Sequence, residues 1–254
     1  MGVVKPQLRA DDATQEPWMQ LVSSRYPSSQ SNAEAQASKS YRILIVDDHE
    51  LMRVGVRAML ESHQGWTICG EAGDGREAVA KAAELKPDLV VLDVAMPILN
   101  GVDAARQILK ARPGTAILIL TGYESEQMIR QVLEVGARGF LLKSDAAQNL
   151  LVAVEALQRR AIFFNARAGQ MMLDGYLHRG IAPGDSARDR LTSREREVVQ
   201  LLAEGYSSKE VAAHLNLCPK TVETHRTNVM RKLGLHSVAA LVRYAVRNSI
   251  VQAA

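Results

Sequence analysis

The chain has 254 residues, 23% of them charged and 47% hydrophobic, with a formal net charge of +3 and only two cysteines. That length accommodates two domains with separate cores. The sequence has no apolar run near the roughly 18 residues a bilayer span requires and no signal-peptide pattern at the N-terminus, which predicts a cytoplasmic protein without membrane contact. Cys69 and Cys218 match no metal-binding or redox spacing and are read as reduced. Charge is unevenly spread: residues 41–160 carry 14 Lys and Arg against 16 Asp and Glu, whereas residues 190–254 carry 10 against 5. A basic excess confined to one end points to nucleic acid there.

Residues 1–40 are rich in Ser, Gln and Ala and lack sustained apolar periodicity, so a disordered extension is predicted, with EPWMQLV (16–22) the one stretch suited to a short amphipathic turn. From Tyr41 the pattern changes. RILIV reads as a strand, and HELMRVGVRAMLES (49–62) as a helix with Leu51, Val54 and Ala58 at helical spacing. The alternation continues through WTICGEA, DGREAVAKAAELKP, DLVVLD, GVDAARQILKARP, AILILT, ESEQMIRQVLEVGA, GFLLK and DAAQNLLVAVEALQRR. Pro87 and Pro113 fall where helices must stop, and Gly136 and Gly139 bracket the turn into the last strand. Five strands alternating with five helices require crossover connections, hence a doubly wound parallel sheet with helices on both faces. Residues 161–189 are predicted as a linker whose first half prolongs a helix and whose end, IAPGDSARD, is flexible. From 190 to 254 only helical patterns remain.

In an open parallel sheet, ligands bind beyond the carboxyl ends of the strands. Those ends carry Asp47 and Asp48, Asp93, Thr121 and Lys143. Adjacent acids after a strand can simply cap the next helix, but three acids, a hydroxyl and an ammonium at corresponding positions of four strands point to a site. Clustered carboxylates need a cation, and hard oxygen donors suit Mg²⁺. One of these acids can then attack phosphorus to give an aspartyl phosphate, with Lys143 and Thr121 contacting the transferred oxygens. His49 is read as a helix-start residue rather than a ligand.

The motifs VDDHE, LDVAMP with Gly101, LTG and GFLLKS resemble the receiver domain of two-component response regulators over residues 41–160. The resemblance implies a flavodoxin-like (βα)5 fold in which Asp93 accepts phosphoryl from a sensor histidine kinase. It further implies that Asp48 ligates Mg²⁺, that Asp47 helps position it, and that the backbone carbonyl of Ala95 completes the protein ligands. Thr121 and Phe140 match a switch pair, although Phe140 fits plain core equally well. Ser144 follows the lysine where many receivers have Pro.

In the last segment, Thr192 with Glu195 and Ser207 with Glu210 form capping boxes, each opening an apolar helical run. Pro219 begins and Gly234 ends a third helix, and a fourth is predicted from about Ser237 to Val251. In the third helix Val222, Val229 and Leu233 share a stripe to be buried, while Lys220, Thr224, Thr227, Asn228 and Arg231 occupy the opposite face. Hydroxyls and amides flanked by cations suit a major-groove helix; a solvated face of an ordinary bundle is the alternative. The run SREREVVQLLAEGYSSKEVAAHLNLCPKTVETHRTNVMRKLG is similar to the helix-turn-helix of LuxR-type regulators. That resemblance implies an all-α four-helix domain in which Glu223, Thr224 and Thr227 read bases, while Lys220, Thr221, Arg226, Arg231 and Lys232 touch the DNA backbone. His225, at the edge of the buried stripe, is read as structural. Cys218 occupies a cap position where Ser is commoner. Ala240, Leu241, Tyr244 and Ala245 suit either a dimer contact or internal packing.

Both resemblances together describe the NarL/FixJ class of response regulators. The implied protein is a transcription factor, not an enzyme, that homodimerises when phosphorylated on Asp93, binds double-stranded DNA and engages RNA polymerase. The linker permits an unphosphorylated arrangement in which the receiver masks the recognition helix. A phosphoaspartate hydrolase is the enzymatic alternative, but Ala95 stands where such enzymes carry a second acid. A constitutive DNA-binding module with a vestigial receiver is the other.

Overall fold

The computed structural model describes residues 40–122, 125–164, 168–170 and 191–251. Apart from Ser40, the expectations for residues 1–40, including EPWMQLV, and for most of the predicted linker lie outside the described residues. Five strands form the sheet: β1 (Tyr41–Val46), β2 (Trp66–Ala72), β3 (Leu89–Leu92), β4 (Ala116–Thr121) and β5 (Gly139–Leu142). They alternate with α1 (Glu50–Glu61), α2 (Gly75–Leu85), α3 (Gly101–Ala111), α4 (Glu126–Val135) and α5 (Ala146–Gln158). All described pairings are parallel, in the order β2-β1-β3-β4-β5, which bears out the doubly wound fold.

Side chains alternate across the pleat. Leu44, Val46, Val90, Leu92, Ile117, Ile119 and Phe140 enter a core with α2, α3 and α4. Ile43, Ile45, Leu89, Val91, Leu118, Leu120 and Leu141 face α1 and α5. Helix starts are marked as polar caps should mark them: Asp74 accepts from the Arg76 and Glu77 amides, Asn100 from Asp103 and Ser125 from Met128. Gly136 ends α4 with φ +89.

Two local expectations need correction. Leu51 and Val54 do not face the sheet; they are 84% and 54% exposed, and α1 buries Val56 and Leu60 instead. α1 carries two apolar stripes, and periodicity cannot say which one meets the sheet. After α5 the chain does not prolong the helix: the Phe163 amide donates to the Arg138 carbonyl (2.9 Å), and the Phe140 amide donates to the Phe163 carbonyl (2.8 Å), forming a bridge on the outer edge of β5. Phe164 and Ala168 then pack into the core with Phe140.

The C-terminal segment contains α6 (Ser193–Ala203), α7 (Ser208–Leu215), α8 (Pro219–Leu233) and α9 (Val238–Arg247) around Val198, Leu201, Val211, Val222, Val229 and Leu241. Both capping boxes close reciprocally, Thr192 with Glu195 and Ser207 with Glu210. α9 stops at Arg247, short of the predicted Val251, and Ser249 adopts φ +53. The described residues from Ser40 to Val251 belong to one compact unit.

Candidate functional site

The strand register brings the predicted polar residues together. Val46 pairs with Leu92, Leu92 with Ile119, and Thr121 with Leu142, so β1, β3, β4 and β5 end side by side. Asp47 and Asp93 follow β1 and β3 directly, and each is 3% exposed. Lys143, first residue after β5, places its Nζ 2.7 Å from Asp47 Oδ2 and 2.7 Å from Asp93 Oδ2. Thr121 continues the Ile117–Ile119 face of β4 and is fully buried. Phe140 is fully buried on the same face, opposite Ile119.

Asp93 Oδ1 accepts from the amides of Val94 (2.7 Å) and Ala95 (3.4 Å). Burial pushes the Asp93 carboxyl above its usual range, against the pull of the Lys143 ammonium. Burial alone would lower Lys143, but its bonds to Asp47 and Asp93 outweigh that and hold it above the ordinary lysine value. Both buried acids therefore share one half-buried cation. Asp47 Oδ1 also accepts from the amide of His49, the N-cap of α1, at 2.9 Å, and no side chain caps that helix.

Ligand atoms of Asp47, Asp48, His49 and Asp93 all lie within 4.8 Å of one another, a cluster able to hold a metal ion. Carboxylate oxygens dominate this donor set, which fits a hard divalent cation. His49, read as a non-ligand, stands in the cluster with Nδ1 2.8 Å from Asp48 Oδ1. A cavity of about 1430 Å³ opens beside it, lined by Asp48, Asp93 and Lys143 on one side and by Val246, Ile250 and Val251 on another.

On α8, Val222 and Val229 are buried, Leu233 is half-buried, and Lys220, Thr221, Glu223, Thr224, Thr227 and Arg231 are exposed. Arg226 and His225 are half-buried. The Thr224 hydroxyl donates to the Lys220 carbonyl (2.9 Å), and Arg231 donates to Asn228 (3.0 Å). Lys232 lies 2.9 Å from Glu195, tying the end of α8 to the start of α6. Leu241 and Ala245 are buried inside the helical domain, so internal packing accounts for that pair, whereas Ala240 and Tyr244 are half-buried.

Cys218 caps α8 without a side-chain bond. Cys218→Ser is therefore expected to add about 0.5–1 kcal/mol by supplying the missing acceptor, read as a raised midpoint in chemical denaturation.

Sequence reading missed a polar seam between the two domains. Gln200 of α6 is 1% exposed; its Oε1 accepts from the Asn100 amide (2.8 Å) and Asn100 Nδ2 (3.0 Å), and its Nε2 donates to the Met96 carbonyl (3.0 Å). Arg196 meets buried Asp103 at 3.2 Å, and Glu197 bonds Gln107 at 2.9 Å and Arg76 at 3.4 Å. Glu204 accepts from the Ile98 amide, and burial pushes its carboxyl up. Gln131 donates to the Asn248 carbonyl at 3.0 Å. This seam uses α6 and the end of α9, and it leaves the outward face of α8 exposed. The masked recognition helix permitted by the linker is thus not the arrangement found. No local pattern announces the seam, since each partner is distant in sequence.

Residues 43–155 match the family described as response regulator receiver domain, and residues 189–245 match bacterial regulatory proteins of the luxR family. The chain is 34% identical over 212 residues to the uncharacterized transcriptional regulatory protein YxjL of Bacillus subtilis, covering 83% of this chain and 97% of that one. It is 33% identical over 211 residues to the response regulator protein VraR of Staphylococcus aureus, covering 83% and 99%. Among solved structures, the RcsB response regulator of Salmonella typhimurium aligns over 82% of this chain and 98% of its own, with 26% identity and a TM-score of 0.55. An RcsB–DNA complex aligns over 83% and 99%, with 26% identity and a TM-score of 0.51. Among the described residues no helix is long and apolar enough to cross a membrane.

Proposed function

Because the chain belongs to the response regulators that join a receiver domain to a luxR-type DNA-binding domain, we propose that Asp93 is its phosphoacceptor and that phosphorylation there controls sequence-specific DNA binding by α8. The observation that carries this reading is the junction at Lys143, where one ammonium lies 2.7 Å from each of two buried carboxylates delivered by separate strands. In the proposed step an Asp93 oxygen bonds to phosphorus as the donor's bond to phosphorus breaks. The donor is a phosphohistidine of a sensor kinase. Lys143 pairs with the transferred oxygens, the Val94 and Ala95 amides become donors to them, and buried Thr121 and Phe140 respond on the face covered by α4. Asp47, Asp48, Asp93 and the Ala95 carbonyl would hold Mg²⁺, which supplies positive charge against the oxygens of the transferring group.

On this reading residues 41–160 receive the signal, 161–189 link, and 190–254 bind DNA as a cytoplasmic homodimer that engages RNA polymerase. Glu223, Thr224 and Thr227 face the base edges, and Lys220, Thr221, Arg226, Arg231 and Lys232 meet phosphates. The protein is a regulator and not an enzyme. Labelled acetyl phosphate with Mg²⁺ tests this directly. Label retained on the native chain supports the regulator, rapid release of inorganic phosphate marks a hydrolase, and no incorporation marks a vestigial receiver.

The groove-reading assignment has a separate test. Lys220→Ala is expected to weaken binding to all sequences alike and to reduce the salt slope by about one unit, whereas Thr224→Val changes sequence preference. Titrations at several salt concentrations against a randomised duplex pool distinguish the two; identical effects would remove the face assignment.

A further inference from the structure

His49 stands where a helix usually has a capping side chain, and it does not cap. It is the N-cap of α1, yet its ring makes no bond to that helix, and 72% of the side chain is exposed. Ser, Asp and Asn are favoured at such a position because their short oxygens reach the free amides. Neither capping nor packing therefore accounts for an imidazole here. The ring turns instead toward the carboxylates, with Nδ1 2.8 Å from Asp48 Oδ1 and 3.5 Å from Asp47 Oδ1. An octahedral ion with bonds of about 2.1 Å holds neighbouring ligand atoms about 3.0 Å apart, a spacing these two distances bracket. The ligand atoms of Asp47, Asp48, His49 and Asp93 all fall within 4.8 Å of one another. Asp47 meets Lys143 through Oδ2 and His49 through Oδ1, so the lysine and the histidine do not compete for one oxygen.

We propose that His49 is itself a ligand of the divalent ion at this site, through Nδ1, and that it gives the site a preference for first-row transition ions over Mg²⁺. The inference rests on the reading of the neighbouring acids as the ion's ligands. Mg²⁺ selects oxygen donors and gains little from an imidazole, whereas Co²⁺, Ni²⁺ and Zn²⁺ gain from each nitrogen they bind. A neutral ring with its proton on Nε2 offers the Nδ1 lone pair, which takes a place that water would otherwise fill. Carboxylates alone give no such discrimination, so the choice of ion at this site falls to a residue outside the acid, hydroxyl and lysine set.

The test uses the full chain. Calorimetry compares Mg²⁺ with Co²⁺, and pulsed EPR of bound Mn²⁺ reports whether a nitrogen is directly coordinated. The native chain is expected to show the ¹⁴N modulation of a coordinated imidazole. His49→Ala, which removes no cap bond, is expected to lose that modulation and to bind Co²⁺ about ten-fold more weakly, with Mg²⁺ affinity within about two-fold of native. Asp48→Ala has to abolish the same nitrogen signal, which ties it to this site, since His49 is one of six histidines. An all-oxygen Mn²⁺ spectrum in the native chain, or a nitrogen signal that survives either substitution, overturns the proposal. Equal losses of Mg²⁺ and Co²⁺ in His49→Ala also overturn it, because a ring that only steers Asp48 affects both ions alike; in all these cases the acids remain the ion's ligands. If the native chain binds none of the three ions, the metal reading falls and the role of His49 with it.

Discussion

Asp93→Asn is expected to reduce phosphoryl incorporation from acetyl phosphate by at least about 100-fold, equivalent to about 2.7 kcal/mol in the barrier, without unfolding the protein. The carboxamide keeps the size of the native side chain, and its oxygen can still accept from the Val94 amide, which now lies 2.7 Å from Asp93 Oδ1. Lys143 retains Asp47 at 2.7 Å, so its half-buried ammonium keeps a partner. What disappears is the anionic oxygen that must bond to phosphorus. Separating phosphorylated from unmodified chain on a phosphate-affinity gel, beside a denaturation curve, checks both halves of the expectation. Undiminished incorporation would move the acceptor to another side chain, with exposed Asp48 the first alternative.

Gly101→Ala is expected to destabilise the chain by about 3 kcal/mol and to slow phosphorylation as well. A Cβ at this position would meet the Asp93 carbonyl oxygen at 1.8 Å, its carbon at 2.8 Å and Val94 Cα at 3.0 Å. Every one of these obstacles is backbone, so no rotamer change relieves them. Either α3 backs away from the sheet or the end of β3 shifts, and the second displaces the acceptor. Gly114→Ala is the control: nothing lies within 4 Å of its added Cβ, and an effect within about 0.5 kcal/mol is expected. Equal losses at the two positions would show that the close approach at Gly101 carries no special weight. Equilibrium urea unfolding of both variants settles the comparison.

The site was legible because its residues contradict their surroundings. Asp93 ends a strand whose four residues are all buried, and Lys143 follows another; a polar residue at such a place stands out against the apolar run before it. The helical domain was legible for a similar local reason, since Thr192, Ser207, Pro219 and Gly234 are punctuation that acts within one helical turn. Where two answers satisfy the same local rule, sequence is mute. Leu51 and Val54 repeat as regularly as Met52, Val56 and Leu60, and only the sheet decides between the stripes. Contacts that join distant segments leave no periodic trace: Gln200 reads as one more polar residue on an amphipathic helix, and Asn100 as an ordinary cap. The early end of α9 belongs with these, because neither Gly nor Pro marks it and the positive φ of Ser249 follows from how the chain turns toward the receiver.

The strip of backbone around Phe163 has a further consequence. An unpaired outermost strand offers a template on which a second molecule can extend the sheet. Here the Arg138 carbonyl and the Phe140 amide are already bonded to Phe163, so at this point of the edge a second molecule has to displace Phe163 before it can add a strand. A contact between helices of two copies requires no such displacement and leaves the sheet intact.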